Sequence, residues 1–102
     1  LRLPPAHLEA GLARLPTEWG YVAQHGVGII EIGAATADES AELRSWAESL
    51  GGALVLVSAP PALYDDFDPW GSPPATVELQ RKLIAAFDPA RILNPGRLPG
   101  GM

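Results

Sequence analysis

The chain has no cysteine among its 102 residues, which removes disulfides, thiolate nucleophiles and cysteine-bound metals together. Its two histidines, His7 and His25, have no second ligand at metal-binding spacing, so a zinc-type centre is not expected. Long apolar runs are missing too. Nothing approaches the roughly 20 residues that cross a bilayer as a helix, no signal-peptide pattern opens the chain, and a soluble chain is expected. There is no Walker-type phosphate loop. Gly26-x-Gly28 leads from strand to strand and lacks the third glycine and the helix of a dinucleotide loop. Ser40, Ser45, Ser49, Ser58 and Ser72 have no nucleophile-elbow context. No arrangement for self-sufficient catalysis is legible.

What is present is ordinary for a globular protein: 47% hydrophobic and 19% charged residues, over a length that suits one small domain. Three tryptophans add large burial without naming a ligand. The net charge of −5 is unevenly spread. Positions 1–80 hold eleven of the twelve acidic and three of the seven basic residues, whereas 81–102 hold Arg81, Lys82, Arg91 and Arg97 against Asp88 alone. An acidic body repels phosphate backbones, so nucleic acid is not an expected partner. The basic tail suits an anionic ligand or partner, and equally suits cations near a helix end and solvated side chains. The chain opens at Leu1-Arg2-Leu3 without methionine and is expected to be an excised fragment or processed product.

Leu1 to Leu3 reads as the end of a strand. Pro4-Pro5 opens a helix over about 5–15, with Leu8, Leu12 and Leu15 on one stripe and Pro16 as its stop. Trp19 to Gln24 and Val27 to Gly33 read as strands joined by a tight turn at His25-Gly26. The second is apolar on both faces except at Glu31, as an interior strand would be. Thr36 and Glu39 form a capping box. Leu43, Trp46, Ala47 and Leu50 give the following helix its apolar face, and Gly51-Gly52 its left-handed exit. Ala53 to Ala59 reads as a buried strand ended by Pro60-Pro61. Residues 60–74 read as a long loop, and Ser72-Pro73 as the cap of a last helix with inner face Leu79, Leu83, Ile84 and Phe87. The order β-α-β-β-α-β-loop-α predicts an α+β fold, a ferredoxin-like split-βαβ sandwich with helices on one face of an antiparallel sheet, plus a C-terminal helix and ordered tail.

Two segments carry candidate chemistry. In Tyr64-Asp65-Asp66-Phe67-Asp68-Pro69-Trp70 the carboxylates and aromatics could bind a cation or face a partner, or Phe67 and Trp70 could staple the loop to the sheet with the aspartates in water. Phe87 to Arg97 packs several turn signals together. Asp88-Pro89 is an N-cap followed by proline at a first helical position, and Asn94-Pro95-Gly96 is a type II turn. Ile92 and Leu93 are expected to pin the segment to a core. Asn94 can donate and accept, Gly96 permits close backbone approach to a flat ligand, and Arg91 or Arg97 can neutralise negative charge. On these grounds alone the tail is a packing motif or a contact site.

Those residues also carry a resemblance. Arg81, Lys82, Phe87, Asp88, Pro89, Ile92, Leu93, Asn94, Pro95, Gly96 and Arg97 resemble the C-terminal signature of the FAD-linked oxidases of the vanillyl-alcohol-oxidase type, where a Lys/Arg-bearing helix runs into FDP and then NPG with a basic residue. Within that family the chain most resembles the C-terminal part of the FAD-binding subunit of glycolate oxidase, which has NPG followed by arginine and a middle like Trp46 to Gly52. Identity is confined to about the last sixteen residues. The resemblance implies that residues 1–74 are a cap-domain fragment and that 75–102 form the helix and tail returning to an N-terminal FAD-binding domain absent from this chain. It implies Asn94, Pro95, Gly96 and Arg97 as cofactor-proximal residues, and FAD as a cofactor of the intact subunit that this fragment does not hold alone. It further implies oxidation of a small 2-hydroxy acid alongside sister glycolate oxidase subunits, and a cytoplasmic place with membrane association only through those partners. Homo-oligomerisation through an exposed sheet is a further expected arrangement. The alternative is a free-standing ferredoxin-like regulatory or subunit-interaction module without catalysis.

Overall fold

The computed structural model describes residues 1–33 and 36–102. The chain is α+β, with two compact units, Leu1–Pro69 and Trp70–Met102. In the first unit a single 3₁₀ turn at Pro5–His7 leads into α1 (Leu8–Arg14), β1 (Tyr21–Gln24) pairs with β2 (Ile29–Ile32), and α2 (Ala37–Ser49) and α3 (Pro61–Asp66) follow. The second unit contains α4 (Val77–Phe87) and the tail.

The local signals act much as their chemistry dictates. Pro5 sits in the first turn, where its missing N–H costs nothing. Thr36 Oγ1 accepts from the Glu39 amide at 3.3 Å, and Glu39 Oε2 accepts from the Thr36 amide at 2.8 Å, a reciprocal cap on α2. At the other end Gly51 takes φ +75°, and the amides of Gly51 and Gly52 donate to the carbonyls of Glu48 and Ala47. This is the hydrogen-bond pair of a Schellman exit.

β1 and β2 form an antiparallel hairpin in the register Tyr21↔Ile32 to Gln24↔Ile29. Its connection is not the two-residue turn expected at His25-Gly26. Four residues, His25 to Gly28, close it, and the left-handed position falls on Gly28 at φ +70°. The amides of Val27 and Gly28 both donate to the Gln24 carbonyl, which takes Val27 out of the strand and leaves it exposed.

Leu1 to Leu3 lies beside β2: the Leu3 amide donates to Gly28 and the Ile30 amide to Leu1, each at 2.8 Å. On its other side Arg2 exchanges two backbone hydrogen bonds with Ala53, at 2.8 and 2.9 Å. Both bridges are antiparallel. Ala53 to Ala59, expected as a buried strand, pairs only at Ala53. Val55 and Val57 have no ladder partner among the described residues, and Val57 is 90% exposed.

Arg44 takes over where the ladder stops. From α2 its Nε and Nη2 donate to the Leu54 carbonyl at 3.2 and 3.1 Å, and the guanidinium lies 3.8 Å from the Phe67 ring centroid. The Leu56 amide donates to Pro69 at 2.8 Å. Burial draws the Arg44 guanidinium below its ordinary pKa, while Asp68 and Glu48 push it back up. The core of this unit is Leu3, Leu8, Leu15, Ile30, Leu43, Ala47, Leu54 and Phe67.

Two further expectations need correction. The segment after Pro60 is not a structureless loop. Pro61 occupies the first turn of α3, so the proline pair that ends the extended stretch also starts a helix. Nor does Ser72 cap α4. The N-cap is Thr76, without a side-chain cap bond. Among the described residues no helix is long and apolar enough to cross a membrane.

Candidate functional site

The site is built on α4 and the tail. Leu79, Leu83, Ile84 and Phe87 fall on one stripe, as the sequence requires, but α4 buries none of its residues and Phe87 is 83% exposed. The expected inner face is therefore an open one. Arg81 is ion-paired with Glu78 one turn earlier on the same helix.

The chain leaves α4 through Asp88, whose buried carboxylate organises the bend beyond it. Oδ1 accepts from the Ile92 amide at 3.1 Å and Oδ2 from the Leu93 amide at 2.9 Å, while the Asp88 carbonyl accepts from Arg91 at 3.0 Å. Asp88-Pro89 thus closes a turn rather than starting a helix, and the capping oxygens serve amides four and five residues on. Arg91 takes φ +55° to allow this. Ile92 and Leu93 do not pin the tail to a core. They are 74% and 69% exposed, and their backbone amides, not their side chains, hold the segment.

Asn94-Pro95-Gly96-Arg97 closes through the Arg97 amide and the Asn94 carbonyl at 3.2 Å, with Gly96 at φ +77°. Both features match the type II turn expected there. Trp70 braces it, its Nε1 donating to the Arg97 carbonyl at 3.0 Å. The four residues proposed to lie near a cofactor form one exposed turn. A Cβ placed on Gly96 would meet no atom within 4 Å, so its backbone is open to approach.

A groove of about 280 Å³ runs between α4 and the tail, lined mainly by Leu83, Ile84, Phe87, Leu93, Leu98 and Met102, with Asp88, Arg91 and Pro95 completing it. Of the four turn residues only Pro95 reaches it. Leu98 and Met102 carry no local signal in the sequence. The buried Met102 is placed by two reverse bonds, Leu98 N–H to the Met102 carbonyl and Gly101 N–H to the Leu98 carbonyl, and no spacing rule anticipates such a fold-back.

Elsewhere the acidic segment divides. Phe67 is in the core of the first unit under Arg44, and Asp65 and Asp66 are exposed. Trp19 packs against that core and Tyr21 is exposed. A cleft of about 110 Å³ in the same unit is lined by Arg14, Trp19, Glu39 and Glu42 among others, but Glu39 is committed to the α2 cap. Among the described residues no three His, Asp or Glu side chains converge as a metal site.

Set against known protein families, characterised proteins and solved structures, the chain has no match.

Proposed function

We propose that this chain is the C-terminal part of an FAD-dependent oxidoreductase subunit, oxidising a small 2-hydroxy acid such as glycolate, in which it supplies a cap element and a tail that returns to a flavin-holding domain. The observation that carries the reading is the Asn94–Arg97 turn. Its backbone is closed by its own bond and braced by Trp70, and Asp88 holds Ile92 and Leu93 just before it, yet all four of its residues are exposed. A shape held this firmly without a packing partner suits a surface made to meet another domain. The uncovered stripe of α4 supports the same reading, since an exposed apolar face next to an ordered turn marks an interaction surface.

Within this reading the first unit is a ferredoxin-like cap. It is supported by two isolated bridges, Arg2 to Ile29 and Arg2 to Ala53, beside the β1–β2 hairpin, since a split-βαβ sheet would have its strands in that order.

At about 280 Å³ the groove falls just below the usual size of small-ligand pockets, roughly 300–1,000 Å³, and is too small for a dinucleotide. The chain's residues therefore suit an edge contact with FAD and not its whole embrace. Asn94 would offer its amide to the ring's polar edge, Gly96 its open backbone to the ring plane, and Arg97 positive charge. A flavin bound there would supply hydride-acceptor chemistry. This chain's part is to orient it and to exclude water.

Two measurements test this. Adding FAD to the 102-residue chain and removing excess should leave no flavin absorbance, and a stoichiometric retained spectrum would contradict the proposal. The reading frame encoding the chain should extend upstream through about 200 residues with a glycine-rich phosphate-binding stretch. A start codon at Leu1 favours the free-standing module instead.

A further inference from the structure

We propose that the groove between α4 and the tail binds a monomeric single-chain carboxylate, an aliphatic acid of about ten carbons, as suits a groove at the small end of the ligand-pocket range. The groove shares the α4 stripe with the flavin reading above, so the two are alternative uses of one face, and the titration below tests this one without FAD.

Two properties of the lining select this ligand. Leu83, Ile84, Phe87, Leu93, Leu98 and Met102 form a continuous apolar surface on which an alkyl chain sheds water. The only charged groups on it are Asp88 and Arg91, and they are not equivalent. Both oxygens of Asp88 are occupied by the amides of Ile92 and Leu93. The Arg91 guanidinium has no hydrogen-bond or ion-pair partner among the described residues. Its backbone is fixed, at φ +55° and bonded to the Asp88 carbonyl at 3.0 Å, so the exposed side chain starts from a defined point on the groove's lining.

An apolar trough with one uncommitted cation is complementary to a carboxylate with an alkyl tail. A neutral alcohol of the same length leaves Arg91 unanswered, and a quaternary amine sets like charge against it and meets in return only the buried, amide-bonded carboxylate of Asp88. A second copy of this surface is disfavoured for the same reason, because residues 81–102 carry four basic groups and only Asp88 in return.

The test is a titration of the ¹⁵N-labelled 102-residue chain with sodium decanoate, decanol and decyltrimethylammonium, each below its micellar concentration. Decanoate should saturate with shifts confined to residues 83–102 and bind about tenfold more tightly than decyltrimethylammonium. Arg91→Gln should weaken decanoate about tenfold and bring it level with decanol. Leu83→Asp should abolish binding. Both side chains are exposed, so unchanged far-UV circular dichroism is expected for each variant. The proposal is overturned by absence of saturation, by shifts centred elsewhere, by equal affinity for the cationic amphiphile, or by an unaffected Arg91→Gln. Binding to phosphatidylglycerol vesicles or to an acidic peptide, without binding of monomeric decanoate, overturns it as well.

Discussion

Asp88→Ala removes the one side chain that shapes the exit from α4. Its two oxygens accept from Ile92 N–H at 3.1 Å and Leu93 N–H at 2.9 Å, and hydrogen bonds to a charged group are worth about 1.5–3 kcal/mol each. Simple addition overstates the loss, because Ile92 and Leu93 are exposed and their freed amides regain water. A net local cost of about 2 kcal/mol is the reasonable figure. At 1.4 kcal/mol per factor of ten, that opens the segment about thirtyfold more often. Amide hydrogen exchange reads this residue by residue. The Ile92 and Leu93 amides should be protected in the native chain and lose about thirtyfold protection in Asp88→Ala, while amides of α2 keep theirs. Asp88→Asn should fall between, since its amide group retains one acceptor and turns a donor toward the other N–H. Unchanged protection at Ile92 and Leu93 would refute the assignment, and so would a uniform loss across the whole chain.

Other perturbations separate the remaining forces. Gly28→Ala should destabilise by about 3 kcal/mol in urea unfolding: its φ is +70°, and the new Cβ would lie 2.0 Å from the Leu3 carbonyl oxygen, disrupting the bonds that tie Leu1–Leu3 to β2. Gly26→Ala, with no atom within 4 Å, is the control and should stay within about 0.5 kcal/mol; equal effects would show that the close approach is not real. Arg44→Met should cost about 2 kcal/mol by stripping the Leu54 carbonyl of two donors and Phe67 of its cation, and Arg44→Lys should recover less than half because an ammonium cannot present the fork. Full recovery by lysine would mean that charge alone matters. In the 102-residue chain with a free amine at residue 1, burial lowers the pKa of the Leu1 ammonium from 8.0, with Glu31 opposing. The unfolded chain then binds more protons than the folded one just below pH 8, so stability should rise as pH climbs toward and through 8. Acetylating the amine should abolish that slope, and a slope that survives acetylation must come from other groups.

Short-range chemistry was legible in particular residues. The Thr36/Glu39 box, the Gly51-Gly52 exit and the turn at Asn94 to Gly96 depend on bonds spanning three to five positions, and these residues carry their own instructions. The hairpin was legible as a pair of strands but not in its turn, because His25-Gly26 and Gly28 compete for the left-handed position and only the bonds to Gln24 decide between them. The apolar stripe of α4 was correctly grouped and wrongly placed inside, since periodicity says which side chains share a face and not what that face meets.

By itself, then, the sequence determined the first helix, α2, α4, the two paired strands and the turn at Asn94 to Arg97, through capping side chains, proline's fixed φ and glycine's freedom at positive φ. Tertiary structure alone decided that residues 53–59 find a single ladder partner and are held instead by a guanidinium from α2. It also decided that Asp88 holds Ile92 and Leu93 by their amides, and that Met102 folds back to line a groove with Arg91. Each of these depends on groups meeting across distances that no local pattern encodes, settled by which backbone acceptors and apolar surfaces remain unsatisfied once the helices and hairpin have formed.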